Sequence, residues 1–305
     1  MTVARASRPE TAPDHPPDDP VSRPSPRRLP SLVRDSASIR IGLSIVVGLF
    51  LLGILAPLLA PVSPVEIDLN QTLEPPSRNH LLGTDELGRD QLSRILYGTR
   101  TSMVLGLVAV VVAATLGAAI GLLSGYISGL FDGIVMRTMD FILAFPALLL
   151  ALLVIAVLGP GLTQVLIAFG IGGIPFYARL MRTMALSIRE REFVQAARAL
   201  GASPFRIIVR HILPNSVAPL IITTTLAMGL VIVGMAALGF LGLGAQPPTP
   251  EWGAMLSGSQ ARFFSAPWLL ISPGAMILLA VTGYTLLGDG LRDALDPRLR
   301  QVVRL

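Results

Sequence analysis

The chain has 305 residues, 52% of them hydrophobic and only 14% charged, about half the charged share of a soluble domain, and its mean hydropathy is +0.68. Lipid, rather than water, is therefore the solvent for much of it. Cysteine and lysine are both absent, which excludes disulfides, thiolate nucleophiles, lysine Schiff bases and a Walker A phosphate loop with its Gly-Lys-Ser/Thr lysine.

Residues 1–38 hold eight prolines in their first thirty positions, mixed with Arg, Asp and Ser. Such a segment buries too little apolar surface to offset its ordering entropy, and it reads as a disordered tail. It is not a secretory signal, because the apolar run that follows is too long and ends in no Ala-x-Ala site.

From Ile41 onward long apolar runs take over. A helix needs roughly 20 residues to cross about 30 Å of hydrocarbon. The spans expected on that basis are Ile41–Leu59, Met103–Leu123, Phe141–Leu158, Leu162–Tyr177, Val217–Leu241 and Leu269–Leu287. The fold class is thus an all-α polytopic membrane protein with six transmembrane helices. Small residues punctuate these spans. Gly117, Gly121 and Gly125 recur every four residues and make a smooth stripe on which a neighbouring helix can pack closely. Ordinary packing and a solute pathway lined by small residues are both compatible with that stripe.

Arginine sets the orientation. With a cytoplasmic N-terminus, nineteen of the 24 arginines fall in inside segments, and Arg78, Arg89, Arg94, Arg100 and Arg262 fall outside. This positive-inside bias places both termini in the cytoplasm. It also accounts for the net charge of +5 without nucleic acid.

The segment 189–215, REREFVQAARALGASPFRIIVRHILPN, lies between the fourth and fifth spans on the arginine-rich side. Phe193, Ala196, Ala197 and Leu200 recur at helical spacing, and Gly201 stands at a natural helix stop. Ser203 and Pro204 read as the N-cap and first residue of a second helix, with Phe205, Ile208, Val209 and Ile212 on one face and Pro214 at its end. An apolar ridge with no lipid to sit in must fold back on the bundle or dock into a partner, and spacing alone leaves both open.

Elsewhere, Asp85, Arg89, Asp90 and Arg94 form a dense outer cluster. It reads as a solvated face with i,i+4 pairs such as Asp90–Arg94, or else as part of an outer gate or of a surface meeting a delivery protein. Asp132, Arg137 and Asp140 precede the third span and are expected to pair within their own loop. His15, His80 and His211 share no ligand spacing, so no metal site is expected. Acid–base catalysis has no paired carboxylates within the spans, and no Gly-x-Ser-x-Gly nucleophile turn occurs.

Ala196-Ala197, Gly201 and, after a spacer, Leu213-Pro214 resemble the "EAA" loop of ATP-binding-cassette importer permeases. Gln195 stands where that pattern has Glu, and His211 where it has Ile, while the ridge and the glycine turn are kept. His80–Met103 (HLLGTDELGRDQLSRILYGTRTSM), Ser124–Leu152 and the ending Leu286–Arg298 are similar to the C-type permeases of the dipeptide, oligopeptide and nickel importers. Together the similarity covers roughly residues 39–300.

The resemblance implies a type I importer permease fold. Its expected divisions are a first transmembrane helix at 39–61, a periplasmic segment at 62–100, a core at 101–290 containing the coupling hairpin, and a cytoplasmic tail at 291–305. It implies translocation of peptides, or of nickel and related small solutes, across the bacterial plasma membrane by alternating access. A second permease, two ATP-binding-cassette ATPases and an extracytoplasmic solute-binding protein are the implied partners. The chain itself would be non-catalytic and cofactor-free, with ATP bound by those partners. Gln195, Ala196, Ala197, Gly201, Ser203, Pro204, Phe205, Leu213 and Pro214 are the implied ATPase-coupling residues. The competing reading is an ion-gradient-driven secondary transporter, which would need ionisable residues inside the spans; none is found there.

Overall fold

The computed structural model describes residues 36–295. The expected tail at 1–38 and the C-terminal tail at 291–305 fall largely outside those residues. Ten α-helices carry the described residues: α1 (Ala37–Leu59), α2 (Gln91–Ile127), α3 (Gly129–Leu143), α4 (Ala147–Leu158), α5 (Leu162–Arg189), α6 (Glu192–Ala199), α7 (Pro204–Ile207), α8 (Leu213–Phe240), α9 (Trp252–Ser259) and α10 (Trp268–Leu295). No strand occurs among them, only an isolated bridge between Thr84 and Asp90. Five helices are long and apolar enough to cross a membrane: α1, α2, α5, the continuous run Pro204–Phe240, and α10.

The expected third span is the exception. Phe141–Leu158 is not one helix: α3 and α4 meet at an 88° bend. Pro146 causes the break. It has no N–H to continue the ladder, and its ring disfavours helical backbone at Phe145. The 12 residues of α4 reach only about 18 Å, so the sixth crossing exists only if the bent pair is counted as one.

Two other boundaries also differ. α5 runs 28 residues to Arg189, three turns beyond the expected Tyr177, because Ala178, Met181, Ala185 and Ile188 keep a buried stripe going. Nor does Pro214 end a helix. Ile208–Ile212 form a π-helical turn in which the Leu213 N–H donates to the Ile208 carbonyl. The wider register absorbs the proline that an α-helical ladder would reject, and the chain continues into α8.

Packing centres on α2 and α5. Ideal Cβ atoms built on Gly117, Gly121 and Gly125 would lie 2.6 Å from the Ile174 oxygen, 2.2 Å from the Ala178 oxygen and 2.7 Å from the Arg182 oxygen. The two backbones therefore touch along the whole stripe. α1 lies against α10, where Val46, Leu49, Ala280 and Tyr284 join a core with Met103, Tyr177, Met228 and Trp252. The bundle's outer surface is apolar, with Leu58, Leu130, Val157 and Leu230 among its most exposed residues, as a lipid-facing surface requires.

A methyl group at Gly121 has no room, whereas Gly133 faces open space. Thermal unfolding of the detergent-solubilised protein is expected to show Gly121→Ala destabilised by about 1–3 kcal/mol through overpacking. Gly133→Ala is expected to be neutral or stabilising by up to about 1 kcal/mol, since alanine is the better helix former.

Candidate functional site

The hairpin that follows α5 is built from local rules. Glu192 occupies the first turn of α6, where the helix dipole favours an acid. At the other end Gly201 takes φ +80°. Its N–H donates to the Arg198 carbonyl at 3.0 Å, and the Ala202 N–H donates to the Ala197 carbonyl at 3.1 Å. These two bonds make the Schellman closure, and its left-handed residue is the glycine. Ser203 then caps α7, its Oγ accepting from the Arg206 N–H at 3.4 Å, with Pro204 in the first turn.

The ridge divides between the two outcomes that spacing left open. Val194, Ile207, Ile208 and Ile212 fold back onto Met181, Ala185 and Ile188 of α5 and Ala118 and Leu122 of α2. Each fully buried aliphatic side chain there contributes about 1.5–3 kcal/mol. The other face stays out: Leu200 is 88% exposed, Phe205 75%, Val209 44% and Phe193 42%. Gln195 and Ala196 are exposed and Ala197 is half-buried. Ile208 and Ile212, expected beside Phe205 on one face, point inward instead, because the π-turn rotates that part of the helix. Val194 was not singled out, since one valine between two charged stretches gives no periodic signal.

Among the coupling residues implied by the resemblance, Gln195, Ala196, Ala197, Gly201, Ser203, Pro204 and Phe205 sit together on the hairpin. Leu213 is half-buried and Pro214 exposed at the start of α8, beyond the π-turn. The Gln195 amide donates to the Arg189 carbonyl at 3.2 Å, a bond that glutamate could not donate. His211 and Phe193 stack at 6.2 Å between centroids and tie the hairpin's two limbs. Arg198 lies 5.8 Å over the Tyr126 ring.

Below the hairpin, charged residues join three helices. Arg182 of α5 grips Asp132 of α3 through Nε at 2.6 Å and Nη2 at 2.5 Å. The Ser124 hydroxyl of α2 donates to the same carboxylate. Arg189 donates to the Gly125 carbonyl at 2.9 Å and to Ser128 Oγ. Asp132 and Asp140 were expected to pair within their own loop. Both pair instead with α5, Asp140 through Arg179, because α3 packs on that helix.

At the opposite end of the bundle, the expected solvated face is in fact buried. Asp85, Asp90 and Arg94 are each less than a tenth exposed. The Asp85 carboxylate accepts from Arg89 Nε at 2.7 Å and lies 3.4 Å from Arg94 Nε. Asp90 caps α2 through the Ser93 N–H at 2.7 Å and meets His80 Nδ1 at 2.9 Å. The expected Asp90–Arg94 side-chain pair does not form, since the cap uses the aspartate. Trp268 Nε1 donates to the Thr84 carbonyl at 3.2 Å, fastening this loop to α10.

Glu251, absent from the sequence expectations, is the other buried acid here. It caps α9 through the Gly253 and Ala254 N–H groups at 2.9 Å each and accepts from Ser102 Oγ of α2 at 3.1 Å. Burial pushes its carboxyl above the ordinary 4.5, although these three donors pull the other way.

Residues 117–301 match the family described as binding-protein-dependent transport system inner membrane component. The chain belongs to this family. It is a bacterial multi-pass inner-membrane protein, and its relatives are transport permeases. It is 46% identical to the dipeptide transport system permease protein DppC of Alkalihalophilus pseudofirmus over 93% of this chain and 94% of that one. Identity to the protein of the same name from Escherichia coli K12 is 51%, over 86% and 89% respectively. The glutathione transport system permease protein GsiD of Shigella flexneri is 49% identical over 74% of each chain. In fold, the permease resembles a chain of the MetNI methionine ABC transporter in inward-facing conformations. The TM-score is 0.55 at 18% identity, covering 67% of this chain and 97% of that one.

Two outcomes are expected from this geometry. Gly201→Ala forces a side chain into the left-handed region at about 1–2 kcal/mol. Hydrogen exchange at the Gly201 and Ala202 amides should then quicken by about tenfold, with α2 unchanged. For Glu251 the raised folded value means that its stabilisation is full below the ordinary value of 4.5 and is lost as pH rises through the folded one. The thermal-stability gap between the wild type and Glu251→Gln should therefore narrow as pH is raised from about 4 to about 8; a widening gap would contradict the assignment.

Proposed function

We propose that this permease is one of the two membrane subunits of an ATP-binding-cassette importer for dipeptides and other short peptides. A second permease, two ATPase subunits and a solute-binding protein complete the assembly. The observation that carries this reading is the divided hairpin. One face is seated firmly on α5 and α2, while Phe193, Leu200, Phe205 and Val209 present an apolar ridge to the outside. A ridge of that kind at a charged, arginine-rich end of the bundle suits insertion into a protein cleft, the ATPase docking that the EAA-like segment implies.

On this reading the hairpin end faces the cytoplasm, in keeping with the arginine bias. Closure of the ATPases on ATP displaces the hairpin, and the bundle alternates between two rigid arrangements. The ATPases must contact the hairpin differently in the two states, since only such differential contact can shift the equilibrium. The names of the relatives favour peptide over nickel: two carry dipeptide and the third glutathione, itself a short peptide.

The native chain has no cysteine, so single cysteines report cleanly. With Leu200→Cys in native membranes, a short bifunctional crosslinker is expected to yield an adduct containing a nucleotide-binding subunit, identified by mass spectrometry. Leu81→Cys, exposed at the opposite end, is expected to yield none. Phe205→Asp should reduce dipeptide uptake at least tenfold, in line with loss of an interface anchor worth about 2 kcal/mol or more. An ATPase adduct at Leu81 instead of Leu200 would reverse the topology and sink the proposal.

A further inference from the structure

α3 is attached to the rest of the molecule in an unusual way. Only Asp132 and Met139 are buried along its 15 residues, while Leu130, Phe131, Ile134 and Phe141 are exposed. A helix with so little buried apolar surface cannot be held mainly by packing. Its fastening is electrostatic: Asp132 to Arg182 and Asp140 to Arg179, an antiparallel pair of contacts along α5.

The two contacts are unequal. The side chains of Arg179 and Asp140 are 54% and 50% exposed, and a solvated ion pair is worth about 0–1 kcal/mol. Asp132 is 8% exposed overall and accepts three hydrogen bonds, two of them from the fork of one guanidinium and the third from Ser124. Bidentate, charge-assisted geometry fixes distance and direction together, whereas an apolar contact can slide. Ser124 also brings α2 into the same junction.

Arg182 lies on the stretch of α5 that leads into the hairpin, and the Gly121 and Gly125 contacts hold that stretch backbone-to-backbone against α2. We infer that the Asp132–Arg182 pair, with Ser124, is the positioning element that makes α3 follow the hairpin, so that displacement of the hairpin reaches α4 through the bend at Pro146. Asp132 is a positioning residue and touches no substrate. Without it, α3 keeps a screened ion pair, the buried Met139 and the half-buried Val135, Met136 and Ile142, contacts that can slide, and the hairpin moves while α3 lags. The inference rests on the proposed reading that partner ATPases drive the hairpin.

The test uses the intact importer, reconstituted with its ATPase and binding-protein partners, measuring dipeptide uptake and ATP hydrolysis in the same sample. Asp132→Asn is expected to lower uptake per ATP about fivefold or more while hydrolysis stays within about twofold of wild type. Asp132→Glu, which keeps the charge, should restore part of the loss. A second readout is independent of transport. Spin labels at Leu130→Cys and Ala199→Cys, both exposed, should keep one narrow distance population with and without ATP. In the Asp132→Asn background that population should broaden or split.

Unchanged uptake per ATP together with a narrow distance in Asp132→Asn overturns the inference. So does joint loss of uptake and hydrolysis in Asp132→Asn with uptake per ATP unaltered in the milder Ser124→Ala, which would make the pair a folding contact only. If wild-type uptake proves independent of ATP, the proposed function fails instead, and the label distances still report whether α3 and the hairpin move as one.

Discussion

Everything at the hairpin end depends on the close approach of α2 and α5. In lipid there is no hydrophobic gain in bringing two apolar helices together, so association relies on dispersion, and dispersion needs surfaces in contact. The stripe of Gly117, Gly121 and Gly125 supplies that contact by letting carbonyls of α5 sit where Cβ atoms would be. Because α5 is held to its far end, Arg182 and Arg189 stand within reach of Asp132 and of the Gly125 carbonyl. The hairpin then has a fixed floor of Met181, Ala185 and Ile188 on which to seat Val194 and Ile207.

The hairpin combines a rigid seat with an unfilled face. A loop of this length could have buried all of its apolar side chains against the bundle. The π-turn at Ile208–Ile212 prevents this, since it keeps Ile208 and Ile212 inward while Phe205 and Val209 face out. Pro214 is the chemical reason for the turn: the same residue that removes an N–H from the ladder sets the rotation between the hairpin and α8. What looks like a helix terminator works here as a phase shifter.

Features encoded by neighbouring residues were legible in the sequence. Gly201 as a left-handed stop, Ser203 as a cap and Pro204 in the first turn each follow from local chemistry, and each is observed. The apolar spans and the glycine stripe were legible for the same reason. What escaped depends on partners distant in the chain. Asp85, Asp90 and Arg94 look like a solvated face because nothing local shows that the chain before α2 and Trp268 of α10 will cover them. Glu251 looks like one more loop acid until Ser102, 149 residues away, is brought beside it. The bend at Pro146 and the continuation past Pro214 show one residue type giving opposite results, decided by whether the helix can shift register.

The distribution of charge bears on how energy enters such a molecule. From Ile41 to Leu59, Thr101 to Ile127, Ala147 to Leu158, Leu162 to Ala178, Leu213 to Phe240 and Trp268 to Gly288, no Asp, Glu, Arg or His occurs. The Asp, Glu, Arg and His side chains are gathered at the two ends, where Asp85, Asp132, Asp140 and Arg182 are paired and Asp90 and Glu251 cap helices. A coupling ion moving through the middle would find no group whose charge it could neutralise. At the end opposite the hairpin, the Asp85–Arg94 contact ties the loop between α1 and α2 to α2, and the Glu251–Ser102 contact ties the start of α9 to the same helix. The hairpin end has both a mechanical seat and an open apolar face. On the proposed reading, work done on this bundle therefore enters there, through α5, and the uncharged middle only has to change its packing.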